Sequence, residues 1–293
     1  MSAPSYGDFP ALDAEKRRIL KEEEKARAYT ELFYKDAAEV LLSSARSADR
    51  EEILPVFRDF LTHTAPLSCL HLAALAFAKR LHDRFGALPP PEEFLPFPAS
   101  PQEICYVKNP YIQRVIDLSG MHAQWFYAED FDSACSLASE GKRDACILPY
   151  LDAEERPMPG IERLINDYGL KKQRLYRFDL DGRSGGCLLL SAALRLPPER
   201  AILEWQLFPE SDLLLREATE LLRAEQISFA LPAPIKQSDD LRDAPLSCTL
   251  RMEINGALPE IPLYALSLLV PDMSVTGCYD VLHLTDDGAE SDG

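Results

Sequence analysis

What this chain lacks narrows its class before any motif is read. It has no apolar run long enough to span a bilayer. Its N-terminus, MSAPSYGDFPALDAEKRR, has no basic stretch followed by an apolar one, so no signal peptide is read there. It has no C-x-x-C pair, and its five histidines are isolated, with no His/Cys/Asp spacing suited to zinc. Positive charge is scarce: 31 Lys and Arg stand against 48 Asp and Glu, a formal net charge of −17. So acidic a chain is poorly suited to neutralising phosphates. Neither nucleic acid nor membrane is expected as a partner, and no metal or cofactor is expected. The seven cysteines, Cys69, Cys105, Cys135, Cys146, Cys187, Cys248 and Cys278, are an odd number. Most sit in apolar runs and read as small buried hydrophobes in a reducing, cytoplasmic compartment.

What is present is an ordinary globular composition, 46% hydrophobic and 27% charged over 293 residues, enough for two or three domains. Residues 1–12 read as a disordered N-terminus. Residues 13–86 read as three helices, the first long and free of Pro and Gly, the second with Ser47 as N-cap, the third stopped by Gly86. The proline-rich stretch 87–101 reads as a semi-rigid linker. From 102 to 196 strands and helices alternate, which predicts a mainly parallel sheet covered by helices. The order over 200–284 is βαββαβ, the ferredoxin-like arrangement. The tail 285–293 is acidic and small, and is expected to be disordered.

One stretch asks a functional question. In DACILPYLDAEERPMPG, residues 144–160, a buried strand runs into an acidic turn, and ligands of open α/β sheets sit at the carboxyl ends of strands. The set Asp152, Glu154, Glu155 and Arg156 is either a solvated loop or the remains of an acid/base site. The Gly-rich GRSGG at 182–186 precedes a strand, not a helix, so it reads as a hairpin or bulge turn instead of a phosphate loop.

Three motifs in order carry a resemblance: DREEIL at 49–54, DSACSLASEGKRDACILPYLD at 132–152, and GCYDVL at 277–282. Together with the element order they resemble the bifunctional chorismate mutase–prephenate dehydratase family, which ends in an ACT regulatory domain. The resemblance implies an α+β multidomain fold. It would have an all-α three-helix mutase-like unit, a single α/β periplasmic-binding-like lobe, and a C-terminal ferredoxin-like βαββαβ domain of ACT type. It implies Arg50, Glu51 and Lys16 as mutase-like catalytic candidates, although Arg50 and Glu51 read first as a solvated helix face. Asp152, Arg183 and His82 are the substrate-binding candidates. The family's P-I-E-N turn is replaced by Pro149, Tyr150, Leu151 and Asp152, and its Thr-Arg-Phe by Gly185, Gly186 and Cys187. The two ACT ligand motifs read Leu213–Leu215 and Ala233–Lys236. A second dehydratase lobe is missing.

The expected protein is therefore a non-catalytic, small-molecule-binding or regulatory relative. Alternatives are an enzyme keeping mutase activity and a structural protein that dimerises. Its ligand would be an aromatic or carboxylate small molecule. A homodimer is expected from the long first helix and from the apolar stripe Leu214, Leu215, Ala218, Leu221 and Leu222.

Overall fold

The computed structural model describes residues 10–64, 69–90, 92, 94–96, 101–152, 154–180, 183–196, 200–231, 248–285 and 288–291. The chain opens with α1 (Pro10–Leu41), α2 (Arg50–Thr64) and α3 (Leu70–Phe85). The first helix thus begins at Pro10, inside the segment read as disordered. Asp49, not Ser47, caps α2: its carboxylate accepts from the Glu51 N–H at 3.0 Å. Ser47 stands behind it, accepting from the Asp49 N–H and donating to Glu52. Both residue types favour this position, and pattern alone cannot choose between neighbours.

A short parallel pair, β1 (Leu95–Pro96) with a later strand, anchors the linker. The alternating region then gives β2 (Glu103–Tyr106), α4 (Pro110–Leu118), β3 (Gln124–Tyr127), α5 (Phe131–Ser139), β4 (Ala145–Leu151) and α6 (Pro159–Asp167). It closes with β5 (Lys171–Leu180), β6 (Arg183–Ser191) and β7 (Arg195–Leu196), the partner of β1. Local chemistry explains the helix starts. Asn109 caps α4 ahead of Pro110, and Asp130 caps α5 through the Ser133 N–H at 2.7 Å. Strand β4 is buried at all seven positions, as a central strand covered on both faces must be. Strands β5 and β6 form a hairpin, and Gly185 and Gly186 of the GRSGG stretch lie inside β6.

The last third comprises β8 (Arg200–Leu207), α7 (Asp212–Ala224), β9 (Phe229–Ala230), β10 (Cys248–Asn255), α8 (Glu260–Leu269), β11 (Met273–Thr285) and β12 (Gly288–Ser291). Its strands are antiparallel in the order β11-β8-β10-β9. Part of the acidic tail, expected to lie outside the fold, returns as β12 beside β11. Ala233–Lys236, one of the two expected ligand stretches, falls outside the described residues.

The expected separate sheets are one sheet. Strand β5 of the lobe pairs in parallel with β11, giving the order β3-β2-β4-β6-β5-β11-β8-β10-β9. An edge strand presents unpaired N–H and C=O groups, and joining two edges satisfies both. Arg174 and Asp280 lock the seam with a two-pronged ion pair at 2.8 and 2.7 Å. Helices α5 and α6 pack on one face of the lobe and α4 on the other. In the C-terminal part, Leu203, Trp205 and Leu207 face α7 and α8, and α1–α3 pack outside those two helices. This layering explains why α8 is apolar nearly all round. It is buried from Pro262 to Leu269 between sheet and α3.

Candidate functional site

The residues nominated from sequence do not converge. Lys16 is exposed near the start of α1. Arg50 and Glu51 open α2, beyond the far end of α1. The 25 residues from Lys16 to Leu41 span ~38 Å at helical rise. His82 lies half-buried in the last turn of α3, where its carbonyl accepts from the Gly86 N–H at 2.8 Å. Asp152 sits in the turn after β4. Its carboxylate accepts from the N–H groups of Glu154 and Arg156, both at 2.9 Å, and from the Arg156 guanidinium at 3.2 Å. The Arg156 backbone bond, ahead of the other contacts, holds its carboxyl below the usual range. The charge of Asp152 thus serves its own turn. Arg183 pairs through its backbone with Leu180 at the hairpin, and its side chain lies outside the described residues.

The glycines standing where the family has Thr-Arg-Phe have packing roles. A Cβ on Gly185 would lie 3.0 Å from the Tyr111 ring, and one on Gly186 would lie 3.0 Å from both Leu151 Cδ1 and the Tyr176 carbonyl oxygen. Tyr111 and Leu151 fill the space that larger side chains would need.

Where polar side chains do converge is the seam of the sheet. Lys172 on β5 is 2% exposed, and its ammonium lies 2.6 Å from Glu204 Oε1 on β8 and 2.8 Å from Glu162 Oε1 on α6. It also donates to the Tyr150 hydroxyl at 3.2 Å. Tyr150, from the turn-forming end of β4, donates its own proton to Glu162. The other Glu204 oxygen accepts from Arg251 Nε of β10 at 2.6 Å and from the Tyr279 hydroxyl of β11 at 3.2 Å. Thr276 donates to Glu204 Oε1 at 3.0 Å. Strand alternation produces this arrangement. Glu204 points away from α7 and α8 because Leu203 and Trp205 point toward them. A bulge at Gln173 turns Lys172 to the α6 face.

Lys172, Glu204, Arg251, Tyr150 and Tyr279 are each held in their ordinary charge state. Burial works against the Lys172 ammonium, but the Glu204 and Glu162 carboxylates outweigh it and the pKa rises. Burial likewise opposes Glu204, yet Lys172 and Arg251 draw it down to about 2. Burial pushes Tyr150 and Tyr279 well up. General acid–base work needs a pKa near the operating pH, and these groups are moved away from it. Of the seven members, sequence reasoning singled out only Tyr150 by number. A signal existed: Glu204 is the lone charge in AILEWQLF, and a charge in a buried strand requires a partner. Lys172 and Arg251 lie 32 and 47 residues away in the chain, beyond any local pattern.

A cavity of about 520 Å³ lies between α1, the start of α3 and the end of α7, and two others are smaller. One of about 490 Å³ lies between α1, α3 and α7, with Arg27, Lys35, Lys79 and Arg80 among its walls. Three of those cations are paired, to Glu31, Glu225 and Glu39. The other, about 380 Å³, lies beside the seam. None of the residues nominated from sequence lines any of the three. Among the described residues no group of three or more His, Cys, Asp or Glu side chains could hold a metal ion. No described helix is long and apolar enough to cross a membrane.

No protein-family profile matches the chain, and no curated protein matches it. Among solved structures it is similar to the prephenate dehydratase of Streptococcus mutans, with 12% identity and a TM-score of 0.46 over 61% of this chain and 98% of that one. It is similar to the prephenate dehydratase of Arthrobacter aurescens in complex with L-Phe, with 9% identity and a TM-score of 0.44 over 65% and 92%. It is also similar to GqqA, described as a novel type of quorum quenching acylase, with 14% identity and a TM-score of 0.44 over 60% and 94%. Likenesses this distant carry no conclusion about what the chain does.

Proposed function

We propose that this protein is a non-catalytic relative of the chorismate mutase–prephenate dehydratase enzymes, working in the cytoplasm as a small-molecule-binding, regulatory protein. The observation that supports this reading is the Lys172–Glu204 network. This buried cluster of polar side chains is neutralised from within and joins the strands of the lobe to those of the last third. A ligand on either part would be felt by the other through β5 and β11. The replacement of the dehydratase motif by Gly185 and Gly186, both filled by neighbours, agrees with lost dehydration chemistry. The ligand class is an aromatic or carboxylate small molecule.

The test has two parts. Purified protein should leave prephenate undehydrated; clear turnover would overturn the non-catalytic reading. Its melting temperature should rise with at least one of chorismate, prephenate, phenylalanine or tyrosine, because a ligand that binds only the folded state stabilises it. A flat response to all four would count against ligand binding.

A homodimer is a second reading, favoured by α1. Ile19, Tyr29, Phe33 and Val40 are 48%, 75%, 50% and 69% exposed, and Ile19, Phe33 and Val40 recur at multiples of seven residues. A stripe of that spacing suits pairing with a second helix.

A further inference from the structure

Glu92 belongs to the proline-rich stretch ahead of the lobe, yet its carboxylate lies in the seam. Glu92 Oε1 accepts from the Val275 N–H at 2.6 Å, and Oε2 lies 3.1 Å from Lys171 Nζ. Lys171 also donates to the Val275 carbonyl at 2.5 Å. The position is open because β5 and β11 start pairing only at Lys172 and Gly277, which leaves the Val275 backbone without a strand partner on that side. A backbone N–H beside an ammonium makes strong, charge-assisted hydrogen bonds to a carboxylate. Glu92 thus occupies a ready carboxylate receptor.

The cavity of about 380 Å³ is bordered by those same two residues, Lys171 and Val275. Its apolar walls are Ile165, Leu170 and Phe208, and its polar ones include Gln206, Ser274 and Thr276. The volume falls in the range of small-molecule sites, which favour joints between structural units. Lys171 is the one charged residue in the lining. A single carboxylate therefore matches it, and a second would enter unpaired at a desolvation cost. Thr276 links the cavity wall to Glu204, and so to the buried network.

The geometry points to a binding site for a small monocarboxylate with an apolar or aromatic body, in which Glu92 acts as an internal stand-in. The ligand body fills the cavity, and its carboxylate takes Lys171 and the Val275 N–H from Glu92. The linker is then released from the seam. This deepens the small-molecule reading above and rests on it.

Calorimetric titration of the full chain with 3-phenylpropionate tests the site, with 3-phenylpropanol as the probe lacking a carboxylate. Removing the internal competitor by Glu92→Ala should tighten binding of the acid by about tenfold. Lys171→Gln should weaken it by a similar factor, and the alcohol should not bind. Equal affinity in wild type and Glu92→Ala, undiminished binding by Lys171→Gln, or no binding by any form would overturn the proposal. A measurement on unaltered protein guards against misfolded variants. Amide exchange around Glu92 should speed up when 3-phenylpropionate is added, and unchanged exchange at saturation would also overturn it. A rise in melting temperature with phenylalanine or prephenate that persists in Lys171→Gln would remove this site while leaving ligand binding itself in place.

Discussion

At Gly277, β11 presses close against β5. A Cβ there would lie 2.4 Å from Lys172 Cβ and 2.9 Å from the Lys172 carbonyl oxygen, neither of them a flexible chain end. Gly277→Ala should therefore cost about 1–3 kcal/mol, read as a lower urea midpoint. Glu204 makes a pH prediction. Its pKa falls from 4.5 to about 2 on folding, so its contribution is complete above 4.5 and fades as pH drops toward 2. By linkage the loss is on the order of 3 kcal/mol. Urea denaturation between pH 5 and pH 2 should show a shallower acid slope in Glu204→Gln than in wild type. Identical slopes would mean that Glu204 does not carry this dependence.

Helix ends show how local chemistry and packing share the work. Asp49 caps α2 unaided by tertiary contacts, and Asp49→Ala should destabilise by about 1 kcal/mol in thermal melts. Helix α3 is different. Cys69 precedes it in a left-handed conformation and makes no side-chain cap. Glu217 of α7 caps it instead, accepting from the His71 N–H at 3.1 Å and from His71 Nδ1 at 2.7 Å. Glu217→Ala should cost about 1.5–3 kcal/mol, because it unties a buried charged acceptor from two donors. A loss no larger than that of an exposed Glu→Ala change would show that α3 caps itself. The cap of α2 was legible to within two residues, since Ser and Asp both signal it. The cap of α3 was not legible, because it lies 146 residues away.

At the scale of the molecule the shared sheet predicts shared unfolding. The chain has two tryptophans, Trp125 in the lobe on β3 and Trp205 on β8. In Trp125→Phe protein, the fluorescence of Trp205 should follow the same urea transition as far-UV circular dichroism. A biphasic dichroism trace, with fluorescence tracking one phase, would mean the β5–β11 seam does not couple the halves. Light scattering addresses assembly: a mass of 32.9 kDa, that of one chain, would count against the homodimer. If the dimer forms through α1, Phe33→Asp should shift it to that mass, because the ring is half exposed and a charge there opposes pairing.

Apart from the short strands β1 and β12, the order of helices and strands was largely legible in the sequence, because hydrophobic period, caps and glycines act over a few residues. The alternation through 102–196 and the βαββαβ order of the last third are written in such short stretches. The stripe of α7 was legible in the same way: Ala218, Leu221 and Leu222 are buried. What covers that stripe was decided only in three dimensions. Helix α3 lies over α7 and α8, so apolar surface that read as a second protomer's is partly buried within one chain. The joining of two sheets through β5 and β11 was likewise tertiary, and so was the network it creates. A strand edge advertises unpaired hydrogen bonds but not the edge that will satisfy them, and a buried charge advertises a need but not its partner. Lys172, Glu204 and Arg251 meet because three strands from distant parts of the chain lie side by side, and no local pattern in the sequence carries that adjacency.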